Sequence, residues 1–260
     1  MCNINAIYRK NGTTSLTGFI QSISANSFVR NDHGEGAFFS STNEVIKTRN
    51  KIDYIPYKND IENSKIVITH QRYSTSGFEV QYNHPFQSKE FVLVHNGVIN
   101  QFLNGSGSDS SGFFNKFVAQ FDSIHSHLSR QQKIIYVLKN LFRQDSGSYS
   151  ILIYDKKSRC SYYFRNSPAI NFYKNNDYLF ITTESENSTF LTMISDEKFV
   201  ELVIEPGVIY NIDEKARVFK LARLHKYERD KSEKQTKISD NKEWNFLDTD
   251  DGSYGEYNDK

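Results

Sequence analysis

Cysteine is scarce in this chain. Two thiols in 260 residues, Cys2 and Cys160, cannot build a disulfide framework or a four-thiolate zinc site. A reducing, cytoplasmic setting is therefore the default expectation. No run of about 18 apolar residues occurs, so no transmembrane helix and no membrane partner are expected. The first ten residues, MCNINAIYRK, lack the charged-then-apolar pattern of a signal peptide. An excess of one charge sign is also missing. The formal net charge is +1, which implies neither a nucleic-acid-binding nor a membrane-binding field. A GxxxxGKS/T phosphate loop and a GxGxxG opening a helix are both absent.

What the chain does have is aromatic bulk. Twenty Phe and sixteen Tyr in a 37% hydrophobic composition suffice for one large packed domain or two small ones. Residues 2–8 alternate as a strand. Leu16, Phe19, Ile20 and Ile23 share one helical face. Gly34 and Gly36 mark a turn into Ala37-Phe38-Phe39. Residues 65–69 and 91–95 read as buried strands, the second ended by the Asn96-Gly97 turn pair. A polar loop at 104–112 leads into predicted helices near 112–128 and 131–143. The period then becomes strand-like at 148–155, 159–165, 170–174, 178–183 and 208–212. Strands, then helices, then strands predict an α+β arrangement of sheet layers covered by helices. Beyond residue 225 the chain is charged and poor in apolar residues, so residues 1–225 are expected to form the domain and 226–260 a disordered tail. Within that tail Trp244, Phe246 and Leu247 form a short apolar patch, read either as part of an untethered terminus or as a docking motif.

Several residues have the chemistry for a reactive site. Cys2 follows the initiator Met, and trimming Met1 leaves a thiol and a free α-amine on one residue. An α-amine has a pKa of about 7.7–8.0, so part of it is neutral at physiological pH and can act as a base. The thiol is the nucleophile. Arg72, just after a predicted strand, can present its planar fork to a carboxylate or serve as a structural arginine. The His95-Asn96-Gly97 segment reads as a hairpin turn or as an oxyanion hole made by an Asn amide and a glycine N–H. Asp109 can face an ammonium or cap a helix. His70, His84 and His95 lack a carboxylate or thiol at ligand spacing, so no metal site is expected. Cys160 reads as a buried apolar strand residue.

These pieces occur in one order: Cys2, RNDHGEG at 30–36, HQRYSTSG at 70–77, HPF at 84–86, HNGVIN at 95–100 and SGSDSS at 106–111. This order resembles the class II glutamine amidotransferases, whose glutaminase domain starts at a nucleophilic Cys. HQRYST is similar to the segment in glutamate synthases and amidophosphoribosyltransferases. The resemblance continues through DSGSYSILIYD at 145–155, RNSPAINFY at 165–173, TTES at 182–185 and IEPGVIYNI at 204–212, covering about residues 2–220. It implies a four-layer αββα sandwich of two stacked antiparallel sheets, the Ntn hydrolase fold.

The resemblance also implies roles. Cys2 is the nucleophile and its α-amine the base. Arg72 binds the glutamine α-carboxylate with Thr75 beside it, Asp109 binds the α-ammonium, and Asn96 and Gly97 form the oxyanion hole. The implied activity is glutamine hydrolysis through a γ-glutamyl thioester, with no cofactor. Ammonia then passes to a separate synthase, the expected partner. An Ntn hydrolase for another amide or γ-glutamyl compound, or a non-catalytic regulatory module, are the alternatives. One departure is His33, where the family often has Asp; it is read as substrate-proximal or as loop packing.

Overall fold

The computed structural model describes residues 2–74, 79–102, 108–125, 127–143, 147–167 and 170–224. Strand β1 (Asn3–Arg9) shows how the sandwich is assembled. Its alternate residues Ile4, Ala6 and Tyr8 enter one apolar cluster, while Ile7 enters another. That is the period-two pattern of a strand buried on both faces. Around it lie β2 (Glu35–Phe39), β3 (Glu44–Thr48), β4 (Ile66–Gln71), β9 (Asn171–Lys174), β10 (Tyr178–Thr182) and β11 (Val200–Leu202). Together they form a seven-stranded sheet in the order β11-β9-β10-β1-β4-β2-β3. The second sheet joins β5 (Phe86–Gln87), β6 (Phe91–Ile99), β7 (Gly147–Asp155), β8 (Cys160–Arg165), β12 (Val208–Ile212) and β13 (Val218–Arg223). Its order is β13-β12-β8-β7-β6-β5. Every pairing between these strands is antiparallel.

Three apolar clusters define four layers. The middle cluster lies between the sheets, with Ile4, Ile68 and Leu179 from one and Val94, Leu152 and Tyr210 from the other. Helices α1 (Thr17–Phe28) and α2 (Lys58–Asn63) cover the outer face of the seven-stranded sheet through Phe19, Ile20, Ile23 and Ile61. Helices α3 (Asp109–Ser123) and α4 (Arg130–Leu141) cover the other sheet through Phe113, Phe117, Ile134 and Leu138. Each fully buried side chain of this size contributes about 1.5–3 kcal/mol relative to exposure. This is the expected αββα sandwich of two antiparallel sheets.

Some boundaries differ from the sequence reading. Asn96-Gly97 does not end its strand: β6 runs on to Ile99, paired with β7 throughout. A turn pair reverses the chain only when its own flanks pair, whereas here the partner strand comes from 147–155. The first predicted helix begins earlier, at Asp109, and ends at Ser123. Strands β3, β11 and β13 were not predicted; they are short and largely exposed or half-buried. The tail from 226, its Trp244-Phe246-Leu247 patch, Thr75 and positions 104–107 lie outside the described residues.

The start of α1 is capped from a distance. Glu62, in α2, accepts hydrogen bonds from the Leu16 and Thr17 amides, the Thr17 and Ser15 hydroxyls, and Arg9 Nη2 at 2.9 Å. A carboxylate at a helix N-terminus also meets the positive end of the dipole. Partial burial pushes its pKa up, but the Ser15, Thr17 and Arg9 hydrogen bonds prevail and hold it down to about 2, against an ordinary 4.5. Because the folded-state value is depressed, this stabilisation is present above pH 4.5 and is lost as pH falls toward 2. Glu62→Gln is expected to lower stability at neutral pH and to flatten its fall across that window. Urea midpoints measured from pH 6 to 2 check this, and parallel curves for both proteins would refute it.

Candidate active site

The site lies where β1 begins and β4 ends. Asn3 pairs with Gln71 across the ladder, so Cys2 falls beside Arg72. The backbone pattern continues past the strands: the Arg72 amide donates to the Gly34 carbonyl at 2.8 Å and the His33 amide to the Arg72 carbonyl at 3.0 Å. The Cys2 thiol donates to the Tyr73 carbonyl at 3.5 Å and is half-buried. Burial pushes its pKa above the usual 9.0; the nearby Arg72 cation pulls it down, and the Asp109 carboxylate pushes it up again. A thiol in this setting stays protonated at neutral pH unless a base removes its proton.

Arg72 is buried. Its Nη1 donates to Asn83 Oδ1 at 3.2 Å and to the Glu79 carbonyl at 3.4 Å. Asn83 is itself anchored through Nδ2 to the Thr48 carbonyl. No sequence pattern singled out Asn83, since its part depends on a contact across eleven positions. Lys47 was also missed. It donates to the Gln81 carbonyl and sits 4.8 Å above the Phe86 ring. Burial lowers its pKa to about 8, with the Arg72 charge pushing the same way. His33 takes the loop-packing role: Nδ1 accepts from the Ser74 amide at 2.8 Å, and the ring stacks on Tyr73.

The second sheet brings the oxyanion candidates. Asn96 is buried, and among the described residues its Oδ1 has no hydrogen-bond partner. Gly97 holds φ +119 inside the ladder, and a Cβ there would stand 1.9 Å from the Ser148 carbonyl oxygen. Only glycine fits this position. Asp109, at the first turn of α3, accepts from the Ile99 amide at 2.7 Å and from the Ser110 amide at 2.8 Å. It thus ties the helix to the end of β6, while its charge also reaches Cys2. Ser108, not Asp109, is the helix cap, accepting from the Ser111 amide.

A buried histidine cluster joins the two halves. His70 Nε2 lies 3.1 Å from the His95 carbonyl, and His95 Nδ1 lies 2.7 Å from the Ser110 hydroxyl. The His84 ring lies 4.2 Å from that of His70, tilted by 41°. Burial lowers the pKa of His70 to about 3 and of His95 to about 4, and that of His84 well below 6.5. All three rings are therefore neutral near pH 7, and His70 carries its proton on Nε2, because a carbonyl can only accept. Among the described residues no group of three His, Cys, Asp or Glu is arranged to hold a metal. Cys160 is a strand residue packed against the outer apolar cluster, as expected, but at the start of β8 it is half-buried rather than buried, its thiol 3.4 Å from the Ser158 carbonyl.

No protein-family model matches the sequence. The chain is 28% identical to the glutamine–fructose-6-phosphate aminotransferase (isomerizing) of Buchnera aphidicola over 171 residues, 60% of this chain and 27% of that protein. The glutamine phosphoribosylpyrophosphate amidotransferase from B. subtilis superposes with TM-score 0.61 at 17% identity, over 86% of this chain and 50% of that one. The allosteric regulatory enzyme of purine biosynthesis gives TM-score 0.59 at 17% identity, over 86% and 49%. The chain thus spans 27% of the curated relative it matches. In sequence and fold it resembles a class II glutamine amidotransferase domain. Among the described residues no helix is long and apolar enough to cross a membrane.

Proposed function

We propose that this chain hydrolyses the side-chain amide of glutamine, with Cys2 as the nucleophile. The observation that carries this reading is convergence. Arg72 and Asp109 both lie within electrostatic reach of Cys2, and Asp109 is bonded to the strand that carries Asn96 and Gly97. After Met1 removal, the Cys2 α-amine takes the thiol proton as sulfur attacks the amide carbon. Arg72 holds the substrate α-carboxylate with Thr75 beside it, and Asp109 the α-ammonium. Such two-point binding orients the amide toward sulfur. The Asn96 amide and the Gly97 N–H donate to the oxyanion. Collapse breaks the C–N bond, and the ammonium of Cys2 returns its proton to the departing ammonia. Water then cleaves the γ-glutamyl thioester to glutamate and regenerates the thiol. The ammonia passes to a separate synthase, the proposed partner.

The experiment is intact-mass measurement before and after treatment with 6-diazo-5-oxo-norleucine, followed by peptide mapping. Loss of Met1 and one adduct on Cys2 is the expected result. Processed protein that takes no adduct would overturn the glutamine-shaped site.

A further inference from the structure

We infer that a cleft at the opposite end of the sandwich binds a small molecule carrying two or more phosphate groups. A cavity of about 850 Å³ opens beyond the C-terminal end of β1 and the start of β4. Lys10, Lys65, Lys156, Arg159 and Lys215 line it, against the single carboxylate of Glu214. Two neighbouring acids are engaged elsewhere: Glu62 pairs with Arg9 and Asp213 with Arg217. Among the described residues, none of the five lining cations forms a salt bridge. The Lys156 ammonium donates to the Ser88 carbonyl at 2.9 Å. Five cationic side chains against one carboxylate around one concavity give it a net positive charge, which favours an anion.

Backbone conformation points to the same place. The described non-glycine residues with positive φ are Asn43, Arg159 and Ala216. Asn43 and Arg159 line the cleft, and Ala216 follows the lining Lys215. For a residue such as arginine, this left-handed conformation costs about 1–2 kcal/mol relative to the right-handed region. Glycine would hold the β7–β8 turn without that cost, so the arginine side chain stands on the cleft wall against local backbone preference. Arg159 also lies close enough to Tyr154, on the cavity wall, to favour its ionised form against burial.

The volume fits a small-molecule site, typically about 300–1,000 Å³. A nucleic-acid strand would instead need a basic stripe along the surface. An excess of four positive charges in this space matches multiple phosphates better than one or two carboxylates.

Titration calorimetry of the full chain at low salt, with inorganic tripolyphosphate and separately with a nucleoside triphosphate, tests the inference. One saturable site is expected, weakening as salt rises. Lys65→Glu and Arg159→Gly should each weaken binding about tenfold or more, as expected for a charge facing phosphate in a concave site. Arg159→Gly keeps the turn, and thermal melts confirm that both variants fold. Equal affinity for both ligands would show that the phosphate chain alone is recognised, and tighter nucleotide binding that the rest of the ligand is read too. No saturation at millimolar ligand, unchanged affinity in both folded variants, or tighter multi-site binding of an RNA oligonucleotide would overturn it.

Discussion

Cys2→Ala is expected to reduce glutamine hydrolysis by on the order of 10⁴-fold or more, the scale seen when a covalent nucleophile is removed. Cys160→Ala should leave turnover close to wild type. The contrast follows from position. Cys2 stands beside Arg72 and within reach of the Asp109 charge. Cys160 sits at the start of β8, beside the Asp155–Arg159 turn at the far end of the sandwich. Neither thiol is acidified by its surroundings, since burial pushes both upward. What distinguishes them is the α-amine that Cys2 gains once Met1 is removed. Glutamate release measured with a coupled dehydrogenase, on protein checked for folding, reads the result. Arg72→Ala in the same assay should raise KM more than it lowers kcat. Equal losses at both cysteines would sink the assignment.

Glu35→Ala is expected to cost on the order of 4 kcal/mol of stability or more, because each buried donor left unpaired costs about 1–3 kcal/mol. The Glu35 side chain is fully buried in β2. Its Oε1 accepts from Ser24 Oγ at 2.6 Å, Tyr54 OH at 2.7 Å and Gln71 Nε2 at 2.7 Å, and Oε2 from the Ile52 amide at 2.7 Å. Alanine strands four donors and opens a cavity. Glu35→Gln retains an acceptor for three of them and sets its own N–H₂ against the Ile52 amide, so a loss of about 1–2 kcal/mol is expected. Urea unfolding at fixed pH distinguishes the two. The effect should extend to the site, because Gln71 also accepts from Asn5, and Asn5 accepts from Thr182 and Asn187. These bonds hold the start of β1, just after Cys2, and the end of β4, just before Arg72. A loss below about 1 kcal/mol in Glu35→Ala would mean that water replaces the carboxylate and the ladder alone holds this end.

Much of this was legible in the sequence because it is local. Alternation marked β1, short apolar runs marked β4 and β6, a strand-like period marked β7, and helical spacing of large apolar residues marked α1, α3 and α4. The order of short motifs pointed to the resemblance that the fold comparisons bear out. The Asn96-Gly97 pair was misread as a strand end because a dipeptide that suits a turn also suits a glycine pressed against a neighbouring strand. Only the Ser148 carbonyl, fifty positions along, tells the two apart. The buried Glu35 could not be told from a surface glutamate, since its four donors come from separate parts of the chain.

By itself, then, the sequence marked the strands and helices that carry a clear apolar period and pointed to candidate residues for the chemistry, because periodicity and side-chain type act over a few residues. The tertiary structure alone decided that Asp109 clamps the end of β6, that Asn83 holds Arg72, and that five cations from four separate segments face one cleft. Each of these depends on which strands pair and in what register. Pairing is set by the free energy of burying both faces of two sheets at once, a property of the whole chain rather than of any stretch of it.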